Sequence, residues 1–362
     1  MYRLKRPTNK QLTDFFTAYG PRIKWLMQQL ESGTLTIPLT LGSKHAVHLT
    51  LKVQAGSNTY HFLTKYSQDV HLRRLLCGDW QEHVSIIREV SGMIPNLSWQ
   101  NGMTKGGYLA GQYRICGRDA DGKDVVEDFH EIMYWLFVEQ LYEGKDNVVH
   151  FDKTNFVKER GIEVCPYCGR QPIDVAEVDG SVSKPYIDHF LPKSKYPFLA
   201  MSYMNLIPGC NTCNEKTNKG TLDPLTHPGY GSLLLNPHEF RESAVTFSYT
   251  YNHQGENNEK NFTVNSAAEN ALLEQGYLKE LKLREFYSHR TLDVKDMYRG
   301  FTKASGSMKK FLRRLGLKPH FLEDVEQSTL GYQLNDDEAP RRLMYKFKKD
   351  LLMQLRREYG VK

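Results

Sequence analysis

The sequence predicts an α+β protein of several parts: a mixed α/β amino-terminal domain, a compact metal-centred module, and a mainly helical carboxy-terminal region. Three observations predict it. The chain has 362 residues, more than one hydrophobic core of about 100–200 residues organises. Apolar residues recur with the helical period in some stretches and with the strand period in others. Four of the six cysteines stand in two C-x-x-C pairs near the middle of the chain.

Taken in order, Leu12, Phe15, Phe16, Tyr19, Ile23, Leu26 and Leu30 fall at helical spacing over residues 9–32, and Gly20-Pro21 predicts an interruption. Val47, Leu49, Leu51 and Val53 alternate as in a half-buried strand, with Leu39, Leu41 and Gly42-Ser43 suggesting a hairpin partner. Helix returns from about Ser67 to Ser91, and a strand is expected from Tyr108 to Ile115 before the turn at Asp119 to Gly122. The most apolar helix is expected from Glu127 to Tyr142, with Trp135, Phe137 and Leu141 as core rather than a binding platform. Pro224, Pro228, Pro237, Gly229 and Gly231 mark a loop-rich connection. Strands follow at Val245 to Tyr251 and Asn261 to Val264, and helix is expected from Ala267 onward. The expected boundaries are 1–152, 153–225 and 226–362.

With 40% hydrophobic and 25% charged residues the chain reads as folded rather than disordered or fibrous. Its longest apolar run, Ile132 to Val138, falls far short of the ~20 residues that span a bilayer. The basic start Met1 to Arg6 is followed by polar residues where a signal peptide has its apolar stretch, so a cytoplasmic protein without a membrane partner is expected. The net charge of +6 equals that of residues 301–362, which hold 14 basic and 8 acidic residues. This localised excess suits a polyanion such as nucleic acid and equally suits a solvated face. From Pro340 to Tyr359, Met344, Phe347, Leu351 and Leu355 share one helical face, and Arg342, Lys346, Lys349 and Arg356 the opposite one. The basic face is expected outward, as a rail for phosphates.

The cysteine pairs are Cys165, Cys168 and Cys210, Cys213. In a reducing compartment such pairs read as a metal site, and four thiolates suit a closed tetrahedral Zn²⁺ with a structural role. Cys77 and Cys116 read as small buried apolar residues. Between the pairs lie Asp188-His189 and, sixteen residues after the histidine, Asn205; Asn214 follows nine residues later, immediately after the second C-x-x-C. These residues in this order resemble the HNH endonuclease family of ββα-metal (His-Me finger) nucleases over about Asn155 to Leu222. The resemblance implies His189 as general base, with Asn205 orienting it from across the loop between two strands. Asp188 and Asn214 are hard oxygen ligands that suit Mg²⁺ or Mn²⁺. Both Asp188 and His189 can serve only if their strand ends or kinks there, because adjacent strand residues face opposite ways.

The resemblance further implies hydrolysis of a phosphodiester with 5′-phosphate and 3′-hydroxyl products. The expected partner is nucleic acid, double-stranded DNA ahead of RNA. Lys193, Lys195, Lys216 and Lys219 are candidates for phosphate contacts, with solvated lysines as the alternative. The third signature position is Asn214 rather than His. The 19 residues between Cys168 and Asp188 predict a small hairpin around Asp179-Gly180. Leu233 to Pro237 and the strands and helices after it resemble the region following the nuclease module in HNH proteins of bacterial anti-phage systems, which implies a regulatory protein partner in a defence complex. The alternative is a zinc ribbon that binds nucleic acid or protein without turnover, or a rubredoxin-like iron site.

Overall fold

A computed structural model describes residues 1–35, 37–41, 47–93, 114–118, 124–127, 129–145, 147–173, 175, 177–178, 181–182, 185–215, 217–225, 232–254, 259–315, 326–327 and 329–359. The chain is mixed α/β, mostly helical with small sheets. It forms two compact units, each discontinuous in sequence: residues 6–153 with 187–207, and residues 1–5 with 154–186 and 208–362. The stretch 153–225 therefore contributes to both.

In the first of these units, α1 (Asn9–Glu31) opens on a capping box in which Thr8 and Gln11 satisfy each other's backbone N–H groups. It runs through Gly20-Pro21 unbroken, against the sequence expectation. Proline at an interior position forfeits one backbone hydrogen bond; here burial of Phe15, Ile23, Leu26, Met27 and Leu30 along one face outweighs that loss. The helix packs on α2 (Asn58–Tyr66) and α3 (Asp69–Cys77). The helix expected to run continuously over 67–91 stops at Gly78, where a Cβ would lie 2.3 Å from the Arg74 carbonyl oxygen, and resumes as α4 (Trp80–Met93). Cys77 is half-buried, its Sγ 3.4 Å from the Leu12 carbonyl oxygen. The Cys116 side chain, the turn at 119–122 and the stretch 108–113 of the expected strand lie outside the described residues.

The sheet of this unit has the order β1-β2-β4-β3: β1 (Ile37–Leu41) pairs antiparallel with β2 (Val47–Leu51), β2 parallel with β4 (Asp124–Glu127), and β4 antiparallel with β3 (Arg114–Arg118). The apolar helix after it begins as α5 (Phe129–Met133) and continues as a π-helix, Tyr134–Tyr142. Its Phe137 and Leu141 are fully buried, as the periodicity expected; Trp135 is half-buried.

His83 of α4 is enclosed, and neither ring nitrogen has a hydrogen-bond partner among the described residues. Burial lowers its pKa from 6.5 to about 4. Because the unfolded chain takes up this proton first, stability is expected to fall as pH drops from 6.5 through about 4, by up to ~3 kcal/mol from this residue. Urea unfolding across that range checks it: His83→Phe should flatten the pH dependence, and an unchanged slope would contradict the assignment.

In the other unit, α6 (Lys153–Arg160) contributes from Thr154 onward, and the short hairpin β5 (Glu177–Val178) and β6 (Ser181–Val182) stands where the sequence placed one. The ribbon β9 (Val245–Gln254) and β10 (Glu259–Ala268) is antiparallel throughout. α8 (Ala271–Leu273), α9 (Leu283–Ser288), α10 (Thr291–Leu315) and α11 (Tyr345–Glu358) follow. Phe247, Tyr287 and Phe347 join ribbon, α9 and α11 in one aromatic cluster, with ring centres 4.4 to 5.5 Å apart. α11 also covers the free edge of β9. The Phe247 N–H donates to Asp350 (2.9 Å), the Tyr249 N–H donates to Gln354 Oε1 (2.9 Å), and Gln354 Nε2 donates to the Tyr249 carbonyl oxygen (2.8 Å). Residues four apart on a helix and two apart on a strand both span about 6–7 Å, so one face can satisfy the edge in register.

The outward basic rail expected over 340–359 is corrected here. The helix starts only at Tyr345, leaving Arg342 outside it. Lys346 pairs with Asp350, Lys349 with Glu242 (2.6 Å) and Asp336 (2.8 Å), Arg356 with Glu326, and Arg342 with Glu338 (2.7 Å). The Lys346, Lys349 and Arg356 side chains are 5%, 15% and 14% exposed. Local partners at i, i+4 (Asp350, Glu338) and carboxylates from other segments (Glu242, Asp336, Glu326) together neutralise this face, and the latter follow from no local period. Phe347, Leu351 and Leu355 are buried as expected.

Candidate active site and metal centre

Asp188 and His189 lie on β7 (Ile187–His189), a three-residue strand paired with β8 (Leu206–Pro208). The strand ends at His189, and the chain then bends away through Phe190 and Leu191. Both side chains are enclosed, at 3% and 6% exposure. Buried polar groups need partners, and the loop over residues 190–205 supplies them.

Asn205 ties that loop together. Its Oδ1 accepts from the Leu191 N–H (2.7 Å), and its Nδ2 donates to the carbonyl oxygens of Leu191 (3.2 Å) and Leu199 (3.0 Å). Its own carbonyl oxygen accepts from the Phe190 N–H (2.9 Å). Ser202 anchors the loop to α3 by donating to the Leu75 carbonyl oxygen at 2.5 Å. The next carbonyl after Leu199, that of Ala200, lies 3.1 Å from His189 Nε2. A carbonyl oxygen only accepts, so Nε2 carries the proton, and in the neutral ring Nδ1 holds the lone pair. Asn205 thus braces the same loop whose Ala200 carbonyl oxygen meets the imidazole.

Tyr142, the last residue of the π-helix, meets the His189 ring edge-on with centres 4.4 Å apart. Its hydroxyl donates to the Ile187 carbonyl oxygen (3.1 Å), which fixes the strand that carries the histidine. Burial, and then the Asp188 carboxylate, hold the Tyr142 phenol well above its ordinary range, so it stays a neutral donor. Phe151 stacks on this ring at 5.6 Å, and the ammonium groups of Lys153 and Lys193 lie 4.1 and 5.0 Å from its centre. Sequence reasoning placed Tyr142 at the end of a core helix and did not single out Lys153. Both lie outside any local motif, and a π-helix, which changes the face a residue presents, has no period of its own to read.

Of the lysines singled out for phosphates, Lys193 is half-exposed and pairs with Glu143 at 2.9 Å. Lys195, also half-exposed, lies over the Tyr196 ring. Lys219 is buried, at 1% exposure. Lys216 lies outside the described residues.

The four cysteines belong to the other unit. Cys165 and Cys168 flank a tight turn: the Cys165 N–H donates to the Gln171 carbonyl oxygen (2.9 Å), and the Gly169 N–H donates to the Cys165 carbonyl oxygen (2.7 Å). Gly169 has φ +64°, and a Cβ there would lie 2.0 Å from the Met1 nitrogen, so only glycine closes this turn. Tyr287 donates to the Cys168 carbonyl oxygen (2.7 Å), which holds the knuckle on α9. Cys210 is the N-cap of α7 (Asn211–Asn214), and its Sγ accepts from the Cys213 N–H at 3.5 Å. The Arg170 N–H donates to Cys168 Sγ at 3.4 Å.

All four Sγ atoms are buried within 4.8 Å of one another, and those of Cys168 and Cys210 are 3.9 Å apart. Tetrahedral Zn–S bonds of about 2.3 Å separate neighbouring sulfurs by about 3.8 Å, so the donor set could hold a zinc ion. Without a metal the thiols compete for protons: hydrogen bonds from Cys165, Cys210 and Cys213 lower the Cys168 thiol, while burial raises Cys165. Asn214, the last residue of α7, is half-exposed and follows directly on Cys213.

No family model matches the chain, and no solved structure matches it. Among the described residues no helix is long and apolar enough to cross a membrane. A stretch of 51 residues is 43% identical to the Septu protein PtuB of Bacillus thuringiensis, a likeness that covers 14% of this chain and 17% of that protein.

Proposed function

We propose that the protein is an HNH endonuclease: a metal-dependent hydrolase of phosphodiester bonds, acting on double-stranded DNA in preference to RNA. The observation that carries the reading is the contact of His189 Nε2 with the Ala200 carbonyl oxygen at 3.1 Å. Its Nε2–H is committed to the Ala200 carbonyl oxygen, in a loop that Asn205 braces at both ends. Nδ1 then takes the proton of the attacking water, and the fixed ring loses no orientation as it does so. Tyr142 backs the imidazole and holds its strand.

Asp188 and Asn214 would hold Mg²⁺ or Mn²⁺, which supplies charge stabilisation to the phosphoryl oxygens and the leaving 3′ oxygen. A carboxylate and an amide oxygen suit these ions, which keep water and substrate oxygens in their remaining positions. The Cys165, Cys168, Cys210 and Cys213 cluster, the only group of three or more His, Cys, Asp or Glu donors among the described residues, is reserved for structural zinc. The likeness to the Septu protein PtuB and the metal cluster are compatible with a role in anti-phage defence, in complex with a regulatory protein.

Metal content and metal dependence test the two-site reading together. The purified protein should retain one zinc per chain through dialysis, and cleavage should nevertheless require added Mg²⁺ or Mn²⁺. Iron in the cysteine site, or full cleavage with zinc alone, would contradict it.

A further inference from the structure

Two lysines converge on the ring of Tyr142. Lys153 opens α6 directly after Asp152. Lys193 approaches the same ring, and each touches a ring that touches His189. Both ammonium groups therefore lie within about 10 Å of the imidazole, roughly one Debye length at moderate salt. The π-face of Tyr142 and the Glu143 carboxylate offset part of the mutual repulsion.

We infer that Lys153 and Lys193 form a two-cation clamp, seated on Tyr142, that holds the nucleic-acid backbone beside the phosphodiester attacked at His189. This rests on the endonuclease reading and adds to it Lys153 and the role of the tyrosine ring as the seat of both cations. The alternative is that the lysine stems merely pack on the ring. Charge separates the two: a packing role is satisfied by methionine, a phosphate clamp by arginine.

The test uses a fluorescein-labelled DNA duplex of 30 base pairs, bound in Ca²⁺ without Mg²⁺ by full-length protein carrying His189→Ala. On this background, Lys153→Met and Lys193→Met are each expected to weaken binding about 5- to 20-fold at moderate salt. Each should also lower the slope of log affinity against log salt by about 0.9. Lys153→Arg should restore both. Affinity and slope unchanged in Lys153→Met would overturn the clamp, as would the absence of duplex binding by the parent. Plasmid cleavage separates this from the wider reading. If the lysine variants bind more weakly but the otherwise unmodified protein does not cleave, the two lysines remain backbone contacts and the endonuclease reading, with attack at His189, falls. If cleavage is robust and its KM is indifferent to both lysines, the nuclease stands and the clamp falls.

Discussion

His189→Ala is expected to lower the cleavage rate by about 10²- to 10⁴-fold, the range for a positioned general base. Substrate affinity should change far less, because the imidazole acts on the water rather than on the nucleic acid. Zinc content should not change, since the cysteine cluster draws on no atom of His189. His189→Gln provides the sharper comparison. Its amide can still donate to the Ala200 carbonyl oxygen and keep the loop in place, yet it takes up no proton at neutral pH. A rate loss as large as that of alanine would place the effect in proton transfer rather than in loop structure. Wild-type cleavage by either variant would remove His189 from the reaction.

Cys165→Ser or Cys213→Ser is expected to have the largest effect on stability. The binding free energy of a structural zinc is folding free energy, roughly 10–16 kcal/mol for small zinc modules, against a net stability of about 5–15 kcal/mol for a domain. Loss of one thiolate should therefore release the metal and unfold the unit built on residues 154–186 and 208–362. Metal analysis and thermal unfolding read this out together. A folded, zinc-free variant with the melting temperature of the parent would show that the cluster does not depend on metal.

Much of the site is legible in the sequence because its signals are local. The two C-x-x-C pairs bring four sulfurs together, as their spacing implies. The resemblance carried by Asp188-His189 and Asn205 implies a loop between two strands held by Asn205, and two short strands with such a loop are present. The hairpins at 37–51 and 177–182, and the ribbon at 245–268, follow from alternation and turn residues. What the sequence hides depends on contacts between distant segments. The carboxylates of Glu242, Glu326 and Asp336 cancel a basic face that looks free when α11 is drawn alone. The Gly20-Pro21 break is suppressed by burial on either side of it, and Lys219 is enclosed despite its polar neighbourhood. Tyr142 reaches His189 from a π-helix 47 residues earlier, a placement with no sequence period.

Covalently closed circular DNA gives the most direct test, because it has no ends from which an exonuclease could start. Supercoiled plasmid incubated with the zinc-loaded protein and Mg²⁺ should convert to nicked and then linear forms bearing 5′-phosphates. Chelation of Mg²⁺ with zinc retained should stop the conversion. Plasmid that stays supercoiled in Mg²⁺ and in Mn²⁺, by protein that binds the same DNA, would contradict the enzyme and leave a zinc-stabilised binding protein.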